Sequence, residues 1–450
     1  MRLQRSASSR KDSSSKALAA LVLGVLSAGP VFAQAPLTLD DAMRRARTST
    51  VSARSLELTG QQADARVRHA RAGYFPRVDV AESVQRGNQP VFVFGSLLAQ
   101  RRFEQRNFAV GALNRPEAVT NTRTSLGAEQ LVFDGGATAR AVRGAELTRD
   151  LTAATRDGAG ADLALDAARA FLDVLRLQGD VRAGQAAVEA ASSDHQRARA
   201  RRDAGMATEA DVLAAEVQVA DMRQRTQAAQ GELSVARLRL NDAIGAPLDE
   251  TRELVTPSAP STQVPVDVLV RQALGARSDR RAAVLQQSIA SNGVDQARAS
   301  FLPQLGAQAG WEFNGSSLTN QKASWVVGAE MRFNVFRGFA DSARLAEARL
   351  AADKAAAERQ QVERGIELDV RAALARLDAA LARVESGRAA FAQASESQRI
   401  VRDRYENGLA TLNDVLRATE AVAAAQTRAS NADLDVVWYA LALDHATGRL

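Results

Sequence analysis

The chain has 450 residues, 58 basic against 52 acidic side chains, a formal net charge of +6 and no cysteine. Disulfides and thiolate metal sites are therefore excluded, and packing alone must hold the fold. His69, His195 and His445 stand far apart in no metal-ligand spacing, so neither a metal nor any other cofactor is expected.

Residues 1–33 read as a secretory signal peptide. Arg2, Arg5, Arg10, Lys11 and Lys16 form a basic lead, an apolar run spans Ala17–Leu26, and Val31-Phe32-Ala33 supplies small cleavage residues. Five basic residues and one acid (Asp12) leave with it, so the charge of +6 falls to about +2. Arg and acid then interleave along helices, the mark of solvated faces and an argument against a nucleic-acid partner. No later segment holds the roughly 18 apolar residues of a membrane-spanning helix. Export leaves two settings, a soluble periplasmic protein or an outer-membrane β-barrel.

The mature chain opens with a predicted helix over about 38–73, its start marked by Asp40-Asp41. Pro76 ends that helix and forces extended backbone before it. Strands are expected within 76–133. They are interrupted by 87–121, an enlarged outer loop or extended strand carrying Phe92, Phe94, Phe103 and Phe108. Gly135 relaxes the return from strand to helix. From Ala137 to about Ala204 the apolar positions step by three and four (Leu163, Ala167, Ala170, Val174, Leu177, Val181). That period of 3.5 specifies a supercoiling helix, on the order of 100 Å long. Gly205 makes a turn, and a second helix runs over about 208–244. A Pro-rich linker, 246–264, should pass outside the helices.

The same order then repeats. Residues 37–245 form one unit and 265–450 the other, with strands within 303–336, Gly338 at the return and a turn at Gly408. Arg201-Arg202-Asp203-Ala204-Gly205 and Asp211-Val212-Leu213 answer Arg404-Tyr405-Glu406-Asn407-Gly408 and Asp414-Val415-Leu416 at one offset of 203. Val132-Phe133-Asp134-Gly135 answers Val335-Phe336-Arg337-Gly338 at the same offset, whereas Pro76 answers Pro303 at 227. The first unit thus holds about 24 extra residues in its hairpin. Leu305, Ala307, Ala309, Trp311 and Phe313 alternate with polar or small residues, as do Trp325, Val327, Ala329, Met331, Phe333 and Val335. Such strands suit a tilted bilayer crossing. Four strands cannot close a barrel, and their open edges demand oligomerisation. Within each unit two short helices end to end match one long helix, as in a uniform cylinder wall. The fold class expected is mainly α with a small β part, built as a duplicated helix–strand–strand–helix–helix repeat.

No phosphate loop, dinucleotide fingerprint or nucleophile elbow is present, and Asp134-Gly135-Gly136 is a turn signal. No catalytic residue is assigned and no enzyme is expected. A periplasmic coiled-coil adaptor, or a structural protein without a pore, is the alternative reading. Adaptors offer one helical hairpin and no bilayer-length strands, so the duplication argues against them.

The repeated Tyr/Phe-x-Pro, Val-Phe-Asp/Arg-Gly and Gly-x-x-x-x-x-Asp-Val-Leu motifs resemble those of the TolC-like outer membrane factor family. The resemblance runs from Leu37-Thr38-Leu39-Asp40-Asp41-Ala42 to the C-terminus. It implies a homotrimer with a twelve-stranded barrel in the outer membrane lipid and a helical tunnel in the periplasm. It also implies docking on a periplasmic adaptor and an inner-membrane pump. Gly205 and Gly408 would lie at the periplasmic tips where adaptors dock. Asp414 would contribute to a ring of carboxylates at the entrance, with Tyr405 and Asp211 as a latch. Two positions depart from the family pattern: Arg417 stands where a second carboxylate is expected, and Ala410 where an arginine ties the closed state. Arg202 corresponds to Tyr405, so the two tips differ where a gate needs asymmetry.

Overall fold

The computed structural model describes residues 36–258 and 264–450. The signal peptide and part of the linker lie outside the described residues.

Helix α1 (Leu39–Thr48) starts at Thr38, whose hydroxyl accepts the Asp41 amide at 3.2 Å. It does not continue to Gly73 as the sequence pattern suggested. The chain breaks at Ser49-Thr50 and restarts as α2 (Val51–Arg71). Thr50 causes the break: its buried hydroxyl accepts the Ala53 amide at 3.0 Å and donates to the Ala46 carbonyl at 3.0 Å. The second unit breaks at the matching place, between α7 (Val266–Ala276) and α8 (Ser278–Ala299), where Arg277 is extended.

At Pro76 a short turn gives way to β1 (Arg77–Gly87). The segment after β1 is helical, with α3 (Pro90–Ala99) and α4 (Val110–Asn114), before β2 (Val119–Phe133). Its run of Val, Phe and Leu suits a strand, but Pro90 at the first helical turn sets helix instead. Pro303 leads into β3 (Gln304–Gly315), followed by β4 (Gln321–Arg332). The alternation read as far as Val335 outlasts the hydrogen-bonded strand. All four strands form one antiparallel sheet in chain order. Its register aligns the apolar residues: Val80, Leu126, Trp311 and Trp325 face one another in a row across the sheet. Trp325 is 72% exposed, so among the described residues this face is left uncovered there. The opposite face carries Arg123 ion-paired to Glu312.

Gly135 (φ +65°) and Gly338 (φ +60°) return the chain to helix in left-handed conformations that glycine adopts freely. A Cβ on Gly135 would stand 2.7 Å from that of Leu302, so the return of one unit packs against the Pro303 junction of the other. The long helices α5 (Ala137–Asp203) and α9 (Ala340–Glu406) follow, each of 67 residues. Helix α6 (Glu209–Ala243) and α10 (Leu412–Ala446) run back beside them. Near the sheet, α2, α5, α8 and α9 pack in that order; further away α6, α5, α10 and α9 do. Each chain is therefore a wall of four staves, two continuous and two made of short helices end to end. The core lies between staves, where Ala167, Ala168, Phe171 and Leu172 of α5 meet Leu233, Ala236 and Leu240 of α6, and Ile366, Val370 and Leu377 of α9 meet Val436, Ala440 and Leu443 of α10. The small alanines let the backbones approach closely. Among the described residues no helix is long and apolar enough to cross a membrane.

Candidate functional site

The end of the wall away from the sheet gathers the residues that the repeat singled out. Helix α5 ends where Gly205 (φ +74°) lets the Met206 amide reach back to the Arg201 carbonyl at 2.7 Å. Gly408 (φ +75°) does the same for the Leu409 amide and the Arg404 carbonyl at 2.8 Å. Each turn feeds directly into a capped helix. Thr208 caps α6, and its backbone amide donates to the Asp211 carboxylate at 2.9 Å while its hydroxyl donates to the same oxygen at 2.8 Å. Thr411 and Asp414 repeat the box at 3.0 and 2.7 Å. The Thr411 amide, then its hydroxyl, hold the Asp414 carboxyl below the usual carboxylate range, with Arg417 adding to the effect. Asp414 therefore keeps its negative charge into acid.

Between the two tips lies an apolar cluster of Ala198, Val212, Ala215, Tyr405, Leu412, Val415 and Leu416. It brings Tyr405 and the flanks of Asp211 and Asp414 together across both hairpins. Tyr405 is 6% exposed and lies under the Arg201 guanidinium, 4.8 Å from the ring centroid. Arg201 also donates to the Glu406 carbonyl at 2.9 Å, tying α5 to the end of α9. Among the described residues the Tyr405 hydroxyl has no hydrogen-bond partner. Burial pushes its pKa up; Arg201 opposes this, while Asp211 and Asp194 add to it. Arg202, the counterpart of Tyr405, stays at the surface and pairs with Asp203 at 2.6 Å and Glu209 at 2.8 Å. The two tips are thus alike in backbone and different in side chains. Pro76, Pro303, Gly135 and Gly338 sit at the other end of the long helices, on the order of 100 Å away.

One further residue stands at the heart of this end. Asp194 on α5, with 1% of its side chain exposed, accepts from Arg197 at 2.9 Å, from Arg402 of α9 at 3.4 Å and from the Thr419 hydroxyl of α10 at 3.2 Å. Gln398 in turn donates to Thr419 at 2.9 Å. Burial, the largest influence, pushes the Asp194 carboxyl up, against the pull of Arg402 and Arg197. The sequence holds a signal for it: Ala191, Asp194 and Ala198 keep the steps of three and four. His195, its neighbour in sequence, is only half-buried.

The family described as "Outer membrane efflux protein" matches residues 43–246 and 269–449. The chain is 24% identical over 307 residues to "Outer membrane protein TolC" of Vibrio cholerae, covering 66% of this chain and 69% of that protein. It is 23% identical over 350 residues to "Outer membrane efflux protein BepC" of Brucella suis, covering 76% of each. In three dimensions it resembles the outer membrane protein VceC of Vibrio cholerae at 20% identity and a TM-score of 0.75, over 91% of this chain and 96% of that one. The Campylobacter jejuni CmeC outer membrane channel matches at 15% identity and a TM-score of 0.78, over 91% and 85% of the two chains. By fold and by sequence the chain belongs to the outer membrane efflux protein family, and its place is the outer membrane of the cell.

Proposed function

We propose that this chain, as a homotrimer, is the exit duct of a tripartite efflux or type I secretion system. It passes substrates outward from a periplasmic adaptor and an inner-membrane pump, without a catalytic cycle of its own. The observation that carries this reading is that both lateral edges of the single chain are unfinished. Among the described residues, strands β1 and β4 each lack a neighbour on one side. The helical wall likewise ends in uncovered apolar residues, Leu213, Val217 and Leu238 on α6 and Leu350, Leu368 and Ile400 on α9. Open strand edges and exposed apolar rows on one chain call for further copies of itself. Three copies give twelve strands and twelve staves around one pore, with the row of Val80, Trp311 and Trp325 turned to lipid. Heat-resistant trimers in outer-membrane fractions test this, and a soluble monomer overturns it.

The tip is the entrance of the duct. Gly205 and Gly408 mark the turns on which an adaptor docks, and Asp414 forms a ring of three carboxylates, with Arg417 three residues further along α10. Asp414→Ala is expected to lower cation selectivity in a planar bilayer, because like charges around a narrow pore set its electrostatic barrier. Asp414→Asn is the companion variant, since its amide oxygen can still accept from the Thr411 amide while the charge is gone. Loss of selectivity in the alanine variant alone, with the asparagine variant unchanged, would reduce Asp414 to a helix-start residue.

Tyr405 and Asp211 form the latch, with the unpartnered hydroxyl as donor. Tyr405→Phe keeps the ring under Arg201 and is expected to change tip stability by no more than about 1 kcal/mol. Spontaneous channel opening should nevertheless rise. Unchanged opening would leave ring packing as the whole role of Tyr405.

A further inference from the structure

The helical insert of the first hairpin has no counterpart in the second, where β3 and β4 are joined by a short turn over 316–320. It folds onto one face of the sheet. Gln100, 2% exposed, donates to the Asn121 side chain at 2.9 Å and to the Thr120 carbonyl at 2.9 Å. Asn121 donates to Asn314 at 2.9 Å. In the strand register Asn121 and Asn314 share the face of Arg123 and Glu312, opposite the tryptophans. A second contact agrees: the Phe92 ring lies 3.6 Å from where a Cβ on Gly87 would stand, on that same polar face. Arg101 then reaches across to β4 and donates to the Ala323 carbonyl at 3.0 Å, so the insert spans its own sheet. Phe94, Phe103 and Phe108 stack edge to face at 4.7 and 5.0 Å, tying the insert into one unit.

Helix α3 contains no charged residue. Val93, Ser96 and Gln100 turn toward the sheet and are buried, yet Val91 is 79% and Leu98 50% exposed. Phe108, in the turn that follows, and Val110, at the start of α4, are 64% and 73% exposed. A helix apolar on all sides belongs in a buried setting. The rest of this inference depends on the trimeric duct proposed above. Closing β1 onto the β4 of the next copy turns the polar faces inward, and each insert with them. The surface beyond the exposed residues is then either lumen water or the insert of another copy. Continuity with the strand-edge interface favours the second, since α3 begins three residues after β1 ends.

We propose that the three inserts meet on the barrel axis and pack Val91, Leu98, Phe108 and Val110 against their equivalents, closing the outer mouth with an apolar plug. A hydrophobic constriction of this kind gates by excluding water. The duct then has two closures, a charged one at the helical tip and an apolar one at the outer rim.

The chain has no cysteine, which makes the test direct. Val91→Cys and Phe108→Cys are each introduced into the full-length protein, with Leu318→Cys in the β3–β4 turn as control. Purified trimers are oxidised with copper phenanthroline and run under denaturing, non-reducing conditions. Crosslinked dimers are expected for the two insert positions and not for the control. Replacing residues 90–116 by a short glycine linker should raise single-channel conductance severalfold. Heat-resistant trimers that give no crosslink at either insert position, with conductance unchanged by the deletion, overturn the plug and leave the trimeric duct standing. A chain that stays monomeric overturns both, and the heat-resistance gel separates the two failures.

Discussion

Asp194→Ala is expected to destabilise the helical tip by about 3 kcal/mol, the low end for breaking a buried, hydrogen-bonded charge cluster. The carboxylate is almost wholly buried and accepts from groups on three helices, Arg197 of α5, Arg402 of α9 and Thr419 of α10. Its loss leaves Thr419 without its acceptor and removes one of the links between the two hairpins. The effect stays near the low end because Arg197 and Arg402, about a third and a quarter exposed, can turn to water. Hydrogen exchange of amides near the ends of α5 and α9 should rise in the variant while the core between α1, α5 and α6 stays protected. Equal protection in both regions would make Asp194 dispensable.

The same residue has a pH signature whose sign follows from its shift. Burial raises the Asp194 carboxyl in the folded chain, so the folded tip holds this proton more tightly than the unfolded chain. Its contribution to stability is fully present below the ordinary carboxylate pKa and is lost as pH rises through the raised value. Asp414 works in the opposite sense: its lowered pKa gives stability that is lost as pH falls through that value. Asp194→Asn keeps a side chain able to bond Thr419 and removes the titration. In that variant the acid-side gain should vanish from a series of melting curves, leaving the fall due to Asp414 and its like.

Much of the fold was legible because its signals are local and repeated. The steps of three and four, ended by Gly205 and Gly408, placed the bounds of α5 and α9 within a residue or two, and the alternation around Trp311 and Trp325 located the second hairpin. The breaks at Thr50 and Arg277 were not foreseen, since neither carries proline or glycine. Thr50 breaks its helix through a cap that a Ser-Thr pair only hints at, and beside Arg277 the cue is Gly275, which a helix also tolerates. The insert reads as loop or strand alike, because Val, Phe and Leu serve any of the regular states when buried. In the tip, Tyr405, Asp211 and Asp414 stood out through the repeat. Asp194 did not, because its meaning lies in residues about 200 positions away in sequence, Arg402 and Thr419. A charged residue among interleaved charges looks solvated until the partner helix is in place.

Gly245→Ala is expected to cost about 3 kcal/mol or more, whereas Gly205→Ala should cost about 1 kcal/mol, although both glycines are left-handed. Their φ values are +67° and +74°, so the backbone penalty for a side chain is shared. The surroundings decide the difference. Nothing lies within 4 Å of a Cβ placed on Gly205, while one on Gly245 would stand 2.6 Å from the Ser49 carbonyl oxygen and 3.0 Å from its carbon. Those atoms are backbone and cannot turn away. Gly245 closes α6 against the break between α1 and α2, and Gly448 (φ +73°) closes α10 against the break at Arg277, 3.1 Å from backbone atoms of Ala276 and Arg277. Gly245 and Gly448 are related by the offset of 203 and the two breaks by that of 227. Each unit therefore docks the end of its last helix onto the break in its own first one. That contact sets where a short helix stops and the next stave piece begins, and so the alignment of the wall. Gly448→Ala should follow Gly245→Ala in melting temperature and in trimer yield, and Gly408→Ala should follow Gly205→Ala. If all four substitutions cost the same, the breaks are held by their own caps and the glycine contacts are incidental.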